Sequence, residues 1–312
     1  MADLRAHRGS KPTVAAVDCG TNTIRLLVGA LPDIAVRESR IVRLGEGVDA
    51  TGRLADQALA RTFAAMDEYA ATIRAHGAAR VRVCATSAVR DAANREVFVR
   101  GVEERFGVSP DILTGEQEAV LAFDGAVRNL TGPAPEPVLV VDIGGGSTEL
   151  VLGTADGMVD VAHSMDIGSV RLHERHLHGD PPSAAEVAAC VADIDDHLDT
   201  APLPIAGSRT VVGLGATTLT IAAGVLGLSS YDRSAVDQAR LAATDVAAFV
   251  ERLVALTVRE RRGLPFLDPG RADVIGAGAL ILSRVLARAR AATLVASESD
   301  LLDGIAWSML RS

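Results

Sequence analysis

Apolar residues are gathered along this chain in short runs, and the spacing within each run predicts an element. Thr13–Val17 is a run of strand length, broken by the polar turn Asp18-Cys19-Gly20-Thr21-Asn22-Thr23, and Ile24–Ala30 resumes it. A third strand fits Ile34–Leu44 and stops at the Gly45/Gly47 turn. The period then changes: Leu59, Phe63, Met66, Ala70 and Ile73 recur at helical spacing between Asp56 and His76, ending at Gly77. Arg80–Ala85 alternates as a strand, Asp91–Phe106 reads as a helix, and Asp111–Leu113 as a short strand. Thr114-Gly115-Glu116-Gln117 matches a capping box and predicts a helix to about Asn129.

Thr131–Pro137, with three prolines and a glycine, reads as a linker, and after it the order restarts. Strand Val138–Val141 leads into Asp142, three glycines and strand Glu149–Leu152, with a third strand near Met158–Met165. Helix Ser183–Leu198, strand Thr210–Gly213, helical Thr217–Val225 and helix Asp245–Arg259 follow. Helix Ala277–Arg290, strand Thr293–Val295 and helix Leu301–Leu310 close the pattern. Without gaps, VDCGTNTIRLLVG (Val17–Gly29) lies over VDIGGGSTELVLG (Val141–Gly153), which indicates an internal duplication. Two β-β-β-α-β-α-β-α halves, each opening on an Asp-x-Gly turn, describe an α/β fold of duplicated actin-like (ribonuclease H-like) phosphotransferase type. Its ligand belongs in the cleft between the halves. The expected domains are residues 1–132 and 133–312, the last helix (about 300–312) packing on the second or returning to the first.

Composition narrows the function. Of 312 residues 48% are hydrophobic but only 3% aromatic, so the cores must be built from Ala, Val, Leu and Ile. A net charge of −9 argues against general nucleic-acid affinity, which needs a basic surface. Lys11 is the only lysine, which removes the P-loop class, whose lysine follows a glycine loop. Cys19, Cys84 and Cys190 have no pairing or metal-ligand spacing, and no apolar run reaches bilayer length. A soluble cytoplasmic protein without membrane association is expected, with a polar, patternless N-terminus at Met1–Pro12.

The candidate chemistry gathers at the two repeated turns. Asp18 and Asp142 end their strands and suit Mg²⁺, which shares oxygen ligands between protein and phosphate. Gly144, Gly145 and Gly146 allow close backbone approach, and Ser147 and Thr148 can donate to phosphate oxygens, as can Asn22 and Thr23. Strand alternation leaves Glu149 and its counterpart Arg25 facing either the cleft or solvent. Glu116 and Glu118 lie in a first helical turn, where the macrodipole alone explains acids; the other reading makes Glu118 a general base. Arg90 follows a strand, where it can grip a phosphate or simply face water. Arg171, His173, Arg175, His176 and His178 form a basic run, either a solvated helix face or a guide for an anionic chain. Gly213-Leu214-Gly215-Ala216-Thr217-Thr218 is a third glycine turn, making Gly215 a phosphate-contact candidate. Cys19 reads as a small packed residue.

Four stretches carry a resemblance: AAVDCGTNTIRLL (Ala15–Leu27), CATSAVRDA (Cys84–Ala92), TGEQEA (Thr114–Ala119) and VVDIGGGSTEL (Val140–Leu150). With weaker matches at Asp166–Leu172, Gly213–Thr218 and Asp268–Leu282, the chain resembles the exopolyphosphatase/guanosine pentaphosphate phosphatase (Ppx/GppA) family, short two-domain type. The resemblance implies removal of terminal phosphate from linear inorganic polyphosphate or, alternatively, from guanosine pentaphosphate (pppGpp). It assigns water activation to Glu118, metal and phosphate to Asp142 and Glu149, and phosphate contacts to Asn22, Arg90 and Gly144–Ser147. Many members have two adjacent acids where this chain has Gln117 then Glu118; the acid kept is the one assigned to catalysis. Mg²⁺ is the expected cofactor, with Mn²⁺ as the alternative metal and a monovalent cation such as K⁺ beside it. A weakly active polyphosphate or alarmone sensor is the reading from another class, and twofold symmetry being common, a homodimer is expected. Members with an additional C-terminal helical region extend beyond the length of this chain, so a preference for shorter polyphosphates is expected.

Overall fold

A computed structural model describes residues 11–310, so the N-terminal stretch read as patternless lies, up to Ser10, outside the described residues. The first three strands, β1 (Val14–Cys19), β2 (Thr23–Ala30) and β3 (Asp33–Ile41), form an antiparallel meander. Arg43, with φ 51°, breaks the backbone before Leu44, which ends β3 earlier than its apolar pattern suggests. Helices α1 (Val48–Thr51) and α2 (Asp56–Ala75) lead to β4 (Arg80–Ala85), then α3 (Ser87–Asp91), α4 (Arg95–Phe106), β5 (Asp111–Ile112) and α5 (Gly115–Arg128). The helix expected over Asp91–Phe106 thus begins only at Arg95, after the separate short α3. Between them the Asn94 side chain bonds both the N–H and the carbonyl of Leu54, drawing the chain out of helical register.

The second half repeats the plan with β6 (Val138–Ile143), β7 (Thr148–Gly153), β8 (Val159–Met165), α6 (Ser169–His176), α7 (Ala184–Thr200), β9 (Thr210–Leu214) and α8 (Gly215–Val225). It continues through α9 (Arg233–Val236), β10 (Arg240–Ala242), α10 (Ala243–Ala255), α11 (Val258–Arg262), α12 (Ile275–Ala289), β11 (Thr293–Ala296) and α13 (Leu301–Ser308). The helix expected over Asp245–Arg259 ends at Ala255, because a new capping box, Thr257 with Glu260, starts α11. The Arg261 guanidinium then caps the carboxyl end of α10 through Leu253 O and Val254 O. The sheets run β3-β2-β1-β4-β5 and β10-β11-β9-β6-β7-β8, so the duplicated core order is the actin-like one and β10 is an addition.

β1 and β6 are buried at every position, as central strands covered on both faces must be. On one face of the first sheet, Ala15, Val17, Leu26 and Val28 pack on α2 and α4. The opposite faces of both sheets, with Val14 and Ala16 from one and Val138 and Val140 from the other, close on α5 and α13. These two helices form a shared middle layer and cross at glycines. A Cβ on Gly304 would lie 1.9 Å from the Leu121 carbonyl oxygen, and one on Gly125 2.0 Å from that of Asp300. The C-terminal helix therefore returns to β1 and α5. No helix among the described residues is long and apolar enough to cross a membrane.

Candidate active site

Register decides which residues of the duplicated turns meet. In the first half Asp18 pairs across the ladder with Arg25; at the equivalent place in the second, Asp142 pairs with Glu149. Residues opposite each other on antiparallel strands lie within contact distance, so one carboxylate gains a counter-charge and the other a like charge. Arg25 donates to Asp18 Oδ2 through Nε (2.8 Å) and Nη2 (2.6 Å), and its Nη1 reaches Asp300, the N-cap of α13. Asp142 lies well above the usual carboxylate range, through burial and the nearby charges of Asp300 and Glu149. Glu149 is pushed up to about 7, burial outweighing the hydroxyls of Ser164 (2.7 Å) and Ser147.

The glycine turn is held from behind by α6. The N–H of Ser169 donates to Gly144 O, those of Val170 and Arg171 to Gly145 O, and Arg171 Nε to Gly146 O at 2.7 Å. In a trans peptide the N–H points opposite to the C=O, so the N–H groups of Gly145, Gly146 and Ser147 face away from α6. They meet no acceptor among the described residues. This is an anion-binding nest, and Gly145 and Ser147 line the cavity in front of it. Glycine is required here because the first turn presses on it. A Cβ on Gly145 would fall 2.9 Å from Thr21 Cβ, and one on Gly146 2.7 Å from both Thr21 Oγ1 and Ser87 Oγ, which bond each other at 2.9 Å.

Glu118 comes from the first turn of α5, where Thr114 and Gln117 complete the capping box. Gly115 lets that turn sit against Ser164 of β8, the residue bonded to Glu149. Glu118 is 6% exposed and lies well above the normal range, through burial and the charge of Glu149, with Arg90 opposing. Arg90 Nη1 donates to Leu113 O (3.0 Å) and Glu118 Oε2 (3.3 Å). At the third turn Gly215, with φ 75°, opens α8, and a Cβ there would stand 3.0 Å from Asp142 Oδ1.

A cavity of about 670 Å³ between the halves brings together Asp18, Asn22, Thr23, Glu118, Asp142, Gly144, Gly145, Ser147, Glu149 and Gly215. Both Arg25 and Glu149 face this cleft and not solvent. Three candidates stand off the lining. Gly146 is buried against Thr21 and Ser87, so it offers the cleft only its backbone. Arg90 acts through Glu118. The Thr148 hydroxyl points the other way and donates to Ile167 O, as strand alternation from Glu149 demands. The arginines of the basic run are not free to guide an anion, since Arg171 and Arg175 are paired with Asp49, Asp91 and Asp193. Cys19 is packed, its thiol raised by burial. Sequence reasoning passed over Asp300, Ser164 and Arg271. Arg271 lines the cleft with no ion pair among the described residues, and burial brings it down to about 10. Its stretch, Asp268–Leu282, is one of the weaker family matches; Asp300 stands just before the last expected helix, Leu301–Leu310, and its role as the cap is seen only in the structure.

The donor set suits a hard cation. Five carboxylates (Asp18, Glu118, Asp142, Glu149 and Asp300) meet here, and Asp18 Oδ1 is buried without a hydrogen-bond partner. No three of them form a ready metal cage among the described residues.

Known proteins are similar to this chain over most of its length. Exopolyphosphatase 2 of Mycobacterium tuberculosis is 45% identical, covering 95% of this chain and 98% of its own length. Exopolyphosphatase 1 of Mycobacterium bovis is 30% identical, over 86% and 79%. The crystal structure of an exopolyphosphatase-like protein superposes with a TM-score of 0.93 at 42% identity, over 96% of this chain and 99% of that one. An Aquifex aeolicus member of the Ppx/GppA family superposes at 0.82 and 31%, over 96% and 98%. The model of that family, described as the Ppx/GppA phosphatase family, matches residues 24–312. With that model spanning most of the chain and relatives of 30% identity or more covering it, the chain belongs to the Ppx/GppA phosphatase family.

Proposed function

We propose that this protein hydrolyses the terminal phosphoanhydride of linear inorganic polyphosphate, releasing orthophosphate. The observation that carries the reading is the buried carboxylate of Glu118 lining the same cleft as a glycine turn whose three N–H groups meet no acceptor among the described residues. The terminal phosphate sits on Gly145, Gly146 and Ser147, with Asn22 and Thr23 donating from the opposite turn. Glu118 takes a proton from water as its oxygen attacks phosphorus in line, and the bridging P–O bond breaks to release the shortened chain. Arg90 holds the Glu118 carboxylate in place, and burial raises the proton affinity of that carboxylate, which makes it a stronger base. Asp142 and Glu149, with Asp18 behind them, are the residues to hold Mg²⁺ or Mn²⁺, and the ion would offset phosphate charge.

Glu118→Gln is expected to lower kcat by about 10²–10⁴-fold while polyphosphate still binds. Near-normal phosphate release would remove Glu118 from the mechanism. Chelation should abolish release and Mg²⁺ restore it; activity unchanged in excess chelator would exclude the metal. A second reading, pppGpp as substrate, is favoured by an apolar wall of Leu219, Tyr231, Pro265 and Phe266 in the same cavity, which suits a purine base. Phosphate release measured side by side on graded polyphosphates and pppGpp separates the two.

A further inference from the structure

The basic run turned out to be a strut. Arg171, Glu174 and Arg175 are spaced to share one face of α6, and all three cross to the first half of the molecule. Arg175 grips Asp49 through Nε (2.6 Å) and Nη2 (2.8 Å), and Glu174 accepts from the N–H of Gly47 at 3.0 Å. Arg171 has the fullest set: Nη1 to Asp49 at 2.5 Å, Nη2 to Asp91 at 2.6 Å, and Nε to the Gly146 carbonyl at 2.7 Å. A guanidinium is planar and rigid, so three partners on its edges fix one another's positions. Two of these partners belong to the first half, and the third is the carbonyl whose peptide aims the Ser147 N–H into the cleft.

We infer that Arg171 is a positioning residue that couples closure of the two halves to the geometry of the glycine turn. The inference rests on the phosphate-binding reading of that turn. With the halves together, Asp49 and Asp91 hold the guanidinium against Gly146 O and the nest is formed. With the halves apart, the guanidinium loses both carboxylates, Gly146 O loses a held donor, and the Ser147 N–H is released. Linkage makes the coupling reciprocal, so a phosphate on the nest favours closure.

The test is calorimetric binding of tripolyphosphate to full-length protein carrying Glu118→Gln, which prevents turnover, compared with the same protein carrying Arg171→Met, Asp49→Asn/Asp91→Asn, or all three. Loss of charge-assisted bonds of this kind should weaken binding about 10–100-fold in Arg171→Met. The carboxylate pair should have a comparable effect although neither residue touches the ligand, and the triple variant should be no more than about 3-fold weaker than Arg171→Met, because one coupled unit is lost only once. Arg171→Lys should recover only part of the affinity, since a single ammonium cannot serve three partners. Binding by the carboxylate variant within about 2-fold of the background protein would overturn the coupling, as would effects that simply multiply in the triple variant. Should the pair of substitutions unfold the protein, Asp91→Asn alone removes one arm and is read the same way. Orthophosphate release from polyphosphate by wild-type protein is measured separately. A wild type that binds but releases none sinks the hydrolase reading and leaves the coupling standing.

Discussion

Gly115 offers the sharpest test of how the site is built. It begins α5, and a Cβ there would lie 2.4 Å from Ser164 Cβ and 2.7 Å from Ser164 Oγ, where ordinary contact begins at 3.4 Å. Ser164 cannot swing aside, because its Cβ is fixed to a strand paired with β7 through Glu149. In Gly115→Ala the first turn of α5 must therefore back away by about 1 Å, taking Glu118 with it. Overpacking of this kind costs about 1–3 kcal/mol of stability, and a displacement of about 1 Å of a reacting group costs on the order of 10²-fold in rate. Initial rates of orthophosphate release should show kcat reduced about 10²-fold and KM within about 3-fold, since the glycine turn and Asn22 are untouched. Guanidinium melts should show the stability loss. Ser164→Gly supplies the control: it deletes both atoms that the new Cβ meets, leaving only Ser164 Cα at an ordinary 3.8 Å. In that background Gly115→Ala should change kcat less than about 5-fold, well short of the loss expected from a misplaced base. If the full loss persists there, or if Gly115→Ala alone keeps wild-type kcat and stability, the steric argument is wrong.

Two further outcomes follow from the same geometry. Glu149, raised from 4.5 to about 7, keeps in the folded protein a proton that the unfolded chain releases, so it costs stability increasingly as pH rises through that window. Glu149→Gln should melt above wild type at pH 8, with the gain fading toward pH 4 and activity lost; a gain independent of pH would contradict the assignment. Gly304→Ala puts a Cβ 1.9 Å from a backbone oxygen of α5, and neither helix can yield locally. A loss of about 3 kcal/mol is expected from the denaturation midpoint, and an unchanged midpoint would show that the α5–α13 crossing tolerates separation.

Much of the fold was readable because its signals are local. Unbroken apolar runs marked β1 and β6, the Thr114–Gln117 box marked the start of α5, and the gapless match of Val17–Gly29 to Val141–Gly153 disclosed the duplication. The glycine turn and Glu118 were likewise legible, the latter only through the family motif, since an acid in a first helical turn has an ordinary explanation. Helix breaks at Asn94 and Thr257 were missed because the competing bonds, to Leu54 and within a new cap, are visible only after folding. Asp300 and Ser164 were missed because their partners Arg25 and Glu149 lie far along the chain or across a ladder. The basic run shows the limit plainly: its charges were evident in sequence, but only the apposition of Asp49 and Asp91 turned them from an anion guide into a strut.

The sequence by itself determined two related Asp-x-Gly turns, the strands that present them and the acid that follows in α5, because these depend on residue type and short spacing. It also displayed Arg25 and Glu149 at equivalent places in the repeat. Their consequences were decided by tertiary structure. Strand register sets Arg25 on Asp18 and Glu149 on Asp142, so one turn is neutralised while the other collects buried negative charge. That asymmetry, created by which side chains are brought face to face, makes two copies of one motif into a single site.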